Sequence, residues 1–218
     1  MTAPVRIALI HALAHSVGPI NAEMARAWPE ATVMNLLDDS LSADLARSGT
    51  GLDAAMFARF EALAAYAEAT GAQGILFTCS AFGPCIEAVA ARRTHLPVLK
   101  PNEAMIEDAV AAGGRVGLVA SFAPTLQSMP PEFPSSVDLR TCLADGAMQA
   151  LDRGDGAAHD AAVVAAAQSL VAQGCRVIAL AQFSMARARA AVQVALPSVT
   201  VLTTPDSAVH ALRRRLLA

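Results

Sequence analysis

The sequence lacks the features that identify nucleic-acid-binding and membrane-spanning proteins. Only 16% of its 218 residues are charged, and the formal net charge is −3. Basic residues cluster only at Arg213, Arg214 and Arg215, so no basic stripe is available for a phosphate backbone. The longest apolar runs, such as Val116 to Ala123, fall short of the roughly 20 residues that a membrane-spanning helix needs. We therefore expect neither a nucleic-acid partner nor a membrane partner.

Signals for secretion, disulfides and dinucleotide binding are also missing. The N-terminus leads directly into a strand-like run, without the basic region, apolar core and cleavage site of a signal peptide, so we expect a cytoplasmic location. The segment Gly114–Gly117 lacks the third glycine and the spacing of a dinucleotide-binding loop. Four cysteines are present without a zinc-binding spacing, which favours free thiols: Cys79, Cys85, Cys142 and Cys175.

One segment, GILFTCSAFGPCIE from Gly74 to Glu87, combines a buried strand with the start of a helix. The pattern places Cys79 at the carboxyl end of the strand and at the amino end of the helix. Free backbone N–H groups and the helix dipole favour an anion there, and such positions lower the pKa of reactive cysteines. We therefore predict that Cys79 ionises readily and acts as an acid or base. The alternative is a small buried hydrophobic residue.

The order of predicted strands and helices occurs twice along the chain. RVGLVAS, beginning at Arg115, corresponds to RIALIHA, beginning at Arg6, and three further strands correspond in the same way. The pattern predicts an α/β fold with two pseudo-symmetric lobes, each a four-stranded, mainly parallel sheet flanked by helices. The first lobe is predicted over residues 1–112, with the C-terminal helix 206–218 packing back on it, and the second over residues 113–205. Asp38, Asp39 and Ser40 are predicted to form a turn after the second strand.

The repeat also predicts which residues meet at the ends of the strands. Ligands bind beyond the carboxyl ends of parallel strands, so we expect a site in the cleft between the lobes. The repeat aligns Cys79 with Gln182, and Ala12 with Ser121. An amide donates to an oxyanion but cannot remove a proton from carbon, so Gln182 is not a second base.

Several small or polar residues follow strand ends and are candidates for binding a carboxylate or an enolate oxygen. Their hydroxyl and backbone N–H groups suit an anion, although helix capping would explain the hydroxyls equally well. His11 is a candidate for substrate contact or an ordinary loop histidine. Phe183 suits an apolar group or core packing. The hydroxyl candidates are Ser80, Ser121, Thr125 and Ser184.

The chain resembles the aspartate/glutamate/hydantoin racemase superfamily, which also includes arylmalonate decarboxylase and maleate isomerase. The resemblance rests on the TCSA turn at Thr78, the LAQFSMA turn at Leu180, and the segments RVGLVASFAPT, PVLKPNEA and VTVLTTPDSA. It covers nearly the whole chain. It implies proton transfer by cysteine at the carbon next to the carboxylate of a small substrate, without a metal or an organic cofactor. It also implies a homodimer.

Racemases of this kind have two cysteines, and the resemblance places the first at Cys79 and the second at Gln182. A racemase needs a base on each face of the carbon, whereas one thiol suffices to protonate an enediolate after decarboxylation. We therefore expect a racemase/isomerase-type enzyme that acts through an enolate, with Cys79 as acid/base. The alternatives are a malonate-type decarboxylase with Cys79 as proton donor, and a carboxylate-binding protein without catalysis. The expected substrate-binding residues are Ser80, Ala81, Ser121, Thr125, Gln182, Phe183, Ser184 and His11.

Overall fold

The computed structural model describes residues 4–217, and the chain divides into two compact units. The first unit contains the residues up to Pro101 and those from Ala208 onward, and the second contains Asn102–Ser207. Each unit has one four-stranded sheet in which all neighbouring strands are parallel. The predicted α/β class with two four-stranded parallel sheets is confirmed. Within residues 4–217, no helix is long and apolar enough to cross a membrane.

The first unit builds its sheet around two buried central strands. The strand order is β2-β1-β3-β4, with β1 (Arg6–His11), β2 (Thr32–Leu37), β3 (Gly74–Phe77) and β4 (Val98–Leu99). Its helices are α1 (Val17–Ala27), α2 (Ser40–Ser48), α3 (Ala54–Ala69) and α4 (Gly83–Arg92). All of β3 and all but the first residue of β1 are buried, as expected for central parallel strands with both faces covered.

The second unit repeats this strand order. The order is β6-β5-β7-β8, with β5 (Val116–Ala120), β6 (Leu139–Leu143), β7 (Val177–Leu180) and β8 (Thr200–Thr203). Its helices are α5 (Glu103–Ala112), α6 (Thr125–Ser128), α7 (Ala147–Asp152), α8 (Gly156–Ala172) and α9 (Arg189–Ala195). The same order in both sheets means that β1 corresponds to β5, and β3 to β7, as the sequence repeat requires.

Helix α5 marks the difference between the predicted lobes and the observed units. The sequence predicts residues 102–112 in the first lobe, whereas they belong to the second unit. The reason is the apolar face of α5, where Met105 and Ala109 are fully buried in a core with Val116 and Leu118 of β5. A lobe boundary placed at Gly113 and Gly114, directly after the helix, does not take this packing into account.

The last helix, α10 (Thr204–Leu217), packs against the sheet of the first unit. The Arg213 guanidinium donates to the carbonyl oxygen of Ala27 at 2.7 Å. A Cβ at Gly74 would lie 2.9 Å from Leu216 and 3.2 Å from Leu212, so glycine permits the close approach of α10 to β3.

Helix α2 is absent from the sequence-based prediction, which has a turn at Asp38–Ser40. The Asp38 carboxylate accepts from the Ser40 backbone N–H at 3.2 Å and from the Ser40 hydroxyl at 2.6 Å. The helix ends at Gly49, whose φ of 62° is left-handed. Leu41 is the one fully buried residue in α2, so the segment shows too little apolar periodicity to indicate a helix.

Candidate active site

The turn after β3 has the strand-to-helix geometry that the sequence predicts. Cys79 has an extended backbone, and a short 3-10 turn, Ser80–Phe82, leads directly into α4. The register of β1 and β3 pairs Ile10 with Phe77. The next residues, His11 and Thr78, are therefore neighbours at the carboxyl edge of the sheet.

The Cys79 thiol is half-buried and accepts hydrogen bonds in its ionised form from two groups. These are the backbone N–H of Ala81 and the hydroxyl of Ser42 on α2. Burial nevertheless raises the pKa of Cys79 to about 11, because removal from water outweighs both hydrogen bonds. The prediction that this thiol ionises readily in the unliganded protein is therefore wrong. Cys79 is neutral at pH 7 and carries a proton that it can donate.

A cluster of three aromatic rings supports the turn that carries Cys79. The Phe60 ring of α3 lies 5.2 Å from the ring of Phe77 and 4.9 Å from that of Phe82, measured between centroids. Phe77 precedes Cys79 by two residues and Phe82 follows it by three. The three rings are almost fully buried, so both arms of the Cys79 turn are fixed to one core helix.

His11 is fully buried and uses both ring nitrogens within the first unit. Its Nδ1 lies 2.8 Å from the Thr78 hydroxyl, and its Nε2 lies 2.9 Å from Oδ1 of Asn35. The amide oxygen can only accept, so Nε2–H donates to Asn35 and Nδ1 accepts from Thr78. Burial lowers the pKa of His11, and the hydrogen bond to Asn35 opposes this in part. The observed contacts give His11 a structural role beside Cys79, while its contact with substrate stays a prediction.

The lowered pKa of His11 leads to a pH-dependent stability. The unfolded state binds the histidine proton more readily, so this contribution is complete above the unfolded value of about 6.5 and is lost as the pH falls through the folded pKa. His11→Gln cannot titrate and should show a shallower loss of unfolding free energy between about pH 7 and about pH 5. Urea unfolding over this range measures the slope. The matched control is His95→Gln, at an exposed histidine. If the unfolding free energy of the parent and of His11→Gln depended equally on pH, the lowered pKa of His11 would be contradicted.

The corresponding turn of the second unit fixes Gln182 with one serine. Strands β5 and β7 pair Val119 with Leu180, which makes Ser121 and Gln182 neighbours at the carboxyl edge. Oε1 of Gln182 accepts from the Ser121 backbone N–H at 2.6 Å and from the Ser121 hydroxyl at 3.1 Å. No hydrogen-bond acceptor for Nε2 of Gln182 is found within residues 4–217. The amide therefore presents two N–H donors and no base.

The other predicted residues lie at the turns after β3 and β7, except Thr125, which begins α6 after β5. Ser80 and Ala81 follow Cys79 and are buried, as is Thr125 at the start of α6. Phe183 and Ser184 begin a buried 3-10 turn after Gln182. Within the described part of the chain, the buried Ser184 hydroxyl has no hydrogen-bond partner. An unpaired buried hydroxyl costs free energy, which makes Ser184 the strongest of the predicted hydroxyl candidates for a ligand.

Three residues that support the first turn are absent from the sequence-based prediction of the site. Ser42 lies on the helix that was not predicted. Asn35 is the one polar side chain between the apolar residues of β2 from Val33 to Leu37, and this interruption is a signal for a side-chain hydrogen bond. Thr78 belongs to the TCSA turn but had no assigned role.

Residues 19–212 match the protein family described as Asp/Glu/Hydantoin racemase, and this range includes both strand-end turns. The chain belongs to this family. It is therefore an enzyme of the racemase and isomerase superfamily. No curated protein sequence matches the chain.

Solved structures of glutamate, allantoin and aspartate racemases have the same fold. A glutamate racemase isoform from Bacillus anthracis has a TM-score of 0.75 at 12% identity, covering 99% of this chain and 82% of that one. An allantoin racemase from Klebsiella pneumoniae has a TM-score of 0.74 at 21% identity, covering 98% and 88%. An aspartate racemase from Picrophilus torridus has a TM-score of 0.72 at 10% identity, covering 97% and 94%. At these identities the likeness establishes the fold alone.

Proposed function

We propose that this family member transfers a proton, without a cofactor, at the carbon next to the carboxylate of a small substrate. The reaction passes through an enolate, and Cys79 is the acid/base. The main support is the half-buried thiol at the strand-to-helix turn, with the Ala81 N–H and the Ser42 hydroxyl beside it. Both donors stabilise the thiolate that remains after the proton is transferred.

Residues of the two turns are proposed to bind the carboxylate and the enolate oxygens. In the first unit these are Ser80 and Ala81, at the start of the helix that follows Cys79. In the second unit, the amide donors of Gln182 and the unpaired hydroxyl of Ser184 support this role. Ser121 and Thr125 complete the set proposed to bind these oxygens, and the Phe183 ring is proposed to contact an apolar group of the substrate.

Decarboxylation is a second candidate, favoured by the neutral thiol and by the glutamine at residue 182. In a malonate-type substrate, the bond between the α-carbon and the leaving carboxylate breaks, and CO2 departs. The electron pair remains as an enediolate, which takes the S–H proton of Cys79, and the thiolate then regains a proton from water. This sequence needs one proton donor and no base on the other face of the carbon.

An isotope experiment separates these reactions from simple binding. The protein is incubated in deuterated water with a panel of amino acids, hydantoins and substituted malonates. α-Deuterium in unchanged substrate indicates reversible proton transfer, and a deuterated product with release of CO2 indicates decarboxylation. Binding without exchange or product would contradict the proposal and would indicate a carboxylate-binding protein.

The variant Gln182→Cys tests the role of residue 182. Its thiol supplies the second base that racemisation requires, so we expect faster α-proton exchange and faster loss of optical purity than in the parent. Proton NMR in deuterated water and chiral chromatography measure the two rates. Gln182→Ser removes the amide without adding a base and is the matched control. If the cysteine variant exchanges the α-proton no faster than the serine variant, residue 182 does not occupy the position of the second base.

Two further properties are proposals that rest on the family resemblance. We propose that the chain forms a homodimer and acts in the cytoplasm. Analytical ultracentrifugation of the full chain would distinguish a dimer from a monomer.

A further inference from the structure

Two buried polar side chains of the second unit, Asn102 and Thr204, have atoms that make no hydrogen bond. Asn102 is 1% exposed, and Thr204 is fully buried. Within residues 4–217, neither Oδ1 of Asn102 nor Oγ1 of Thr204 has a hydrogen-bond partner. Buried polar atoms are nearly always paired, because an unpaired one costs free energy. Both residues are therefore candidates, like Ser184, for contact with a ligand.

Thr204 lies beside the turn that carries Gln182. In the register of β7 and β8, Thr204 comes next to Ala181, one residue beyond the last pair of the two strands. Gln182 follows Ala181 directly. Leu202 packs against the apolar core that contains α5. Because side chains alternate along a strand, Thr204, two residues later, lies on the α5 side of the sheet.

Asn102 lies at the same edge of this sheet, directly before α5. The first turn of α5 shares an apolar core with Ala120 and Ala181. Ser121 and Gln182 directly follow these two residues. Asn102 is therefore close in the fold to the proposed carboxylate donors of the second unit.

The orientation of the Asn102 amide determines which kind of ligand group it can bind. Its Nδ2 donates to Oε1 of Glu132 at 3.0 Å. An ionised carboxylate only accepts, so the unpaired end of the amide is the carbonyl oxygen. Asn102 stands at the N-cap of α5 but makes no capping hydrogen bond with its side chain. A ligand group that pairs with Oδ1 must therefore be a hydrogen-bond donor, whereas the Thr204 hydroxyl can donate or accept.

We propose that Asn102 and Thr204 are specificity-determining residues that bind a hydrogen-bond donor, an N–H or O–H group, on the substrate carbon next to the carboxylate. The inference rests on the proposed function, in which Gln182 and Ser184 bind the carboxylate of the same substrate. The donor pairs with Oδ1 of Asn102, and the Thr204 hydroxyl forms a second hydrogen bond with the same group. A substrate without a donor on this carbon leaves Oδ1 buried and unpaired, and therefore binds less tightly.

Calorimetric titration of the full-length protein with two matched series of probes tests the proposal. The series are aspartate, malate and succinate, and phenylglycine, mandelate and phenylacetate. Within each series the α-carbon carries an ammonium group, a hydroxyl group or only hydrogen. In at least one series, a donor-bearing probe should bind the parent about tenfold more tightly than the probe without a donor. Tighter binding of the amine or of the alcohol identifies which donor the site takes.

Thr204→Val and Asn102→Leu should each reduce this affinity ratio by about threefold or more, because each removes one hydrogen bond to the donor. Asn102→Leu also removes a donor from Glu132, so if that variant does not fold, Thr204→Val decides the result. The inference is overturned if the parent shows no such preference in either series, or if the folded variants keep the parental ratio.

Urea unfolding of the unliganded variants separates ligand binding from a structural role. Valine has the shape of threonine without the unpaired hydroxyl, so the unfolding midpoint of Thr204→Val should equal or exceed that of the parent. The matched control is Ser207→Ala on the same helix, because the Ser207 hydroxyl donates to Asp108 at 2.5 Å. Its midpoint should fall, while its preference among the probes stays parental.

A lower midpoint for Thr204→Val would overturn the role of Thr204, since it would mean that the hydroxyl is bonded within the unliganded protein, for example through an internal water. An equal loss of preference in Ser207→Ala would also count against it. Turnover is not part of these measurements, so the proposed function fails separately, through an active Cys79→Ala.

Discussion

Replacement of Cys79 by alanine is expected to lower turnover by about 10²-fold or more, which is the usual contribution of a general acid or base. The substitution removes the one ionisable group at the strand-to-helix turn while leaving the Ala81 N–H in place. Substrate binding should change less than turnover, because the proposed carboxylate donors remain. Isotope exchange or product formation with the best substrate of the panel measures the loss.

The other cysteines provide controls for this result. Cys85 is fully buried on α4, and burial raises its pKa to about 11 as well, so a high pKa alone does not mark an active thiol. Cys85→Ala and Cys142→Ala should keep turnover within a few-fold of the parent. Cys79→Ser retains a similar shape but has a far weaker acid, and should resemble Cys79→Ala. Full turnover in Cys79→Ala would remove the basis of the proposed mechanism.

Replacement of Phe60 by alanine is expected to lower the free energy of unfolding by about 3–5 kcal/mol. Phe60 is 1% exposed and contacts the rings of Phe77 and Phe82, so the substitution leaves a cavity beneath the Cys79 turn. Urea unfolding followed by circular dichroism measures the loss. Phe60→Leu fills most of the cavity and should lose considerably less.

The same cavity should affect the thiol in the folded protein. With one side of the aromatic cluster removed, the Cys79 turn is held less firmly, and alkylation of Cys79 should become faster at every pH. Phe57→Ala, on a partly exposed position of the same helix, is the matched control and should change neither property strongly. A stable Phe60→Ala with parental alkylation would show that the aromatic cluster does not support the turn.

The sheet architecture was predictable because it depends on patterns that can be seen directly in the sequence. Central parallel strands such as β1 and β3 are continuous apolar runs, and the repetition of their order specifies two similar sheets. The strand-to-helix turn at Cys79 followed from the same pattern. The boundary at α5 was not predictable, because a glycine pair marks the end of a helix but does not indicate which core its apolar face joins.

The environment of the thiol was harder to predict than its position. A helix start stabilises a thiolate, but the pKa of the thiol also depends on how much water reaches the sulfur. Tertiary packing determines this exposure. Ser42 was missed for a related reason. It lies on a short polar helix that is held by Arg59 of the next helix, and such a helix has no apolar periodicity of its own.

The pairing of Gln182 with Ser121 has a consequence for the proposed binding of a carboxylate by Ser121. The side-chain oxygen of Gln182 already occupies the N–H and the hydroxyl of Ser121, the two donors that an incoming carboxylate would use there. The Gln182 oxygen thus accepts the same hydrogen bonds that a bound carboxylate oxygen would accept. A substrate that binds Ser121 must first displace the side-chain oxygen of Gln182. A substrate that does not displace it can use only the other proposed donors of this unit, such as the Gln182 amide N–H groups and the Ser184 hydroxyl.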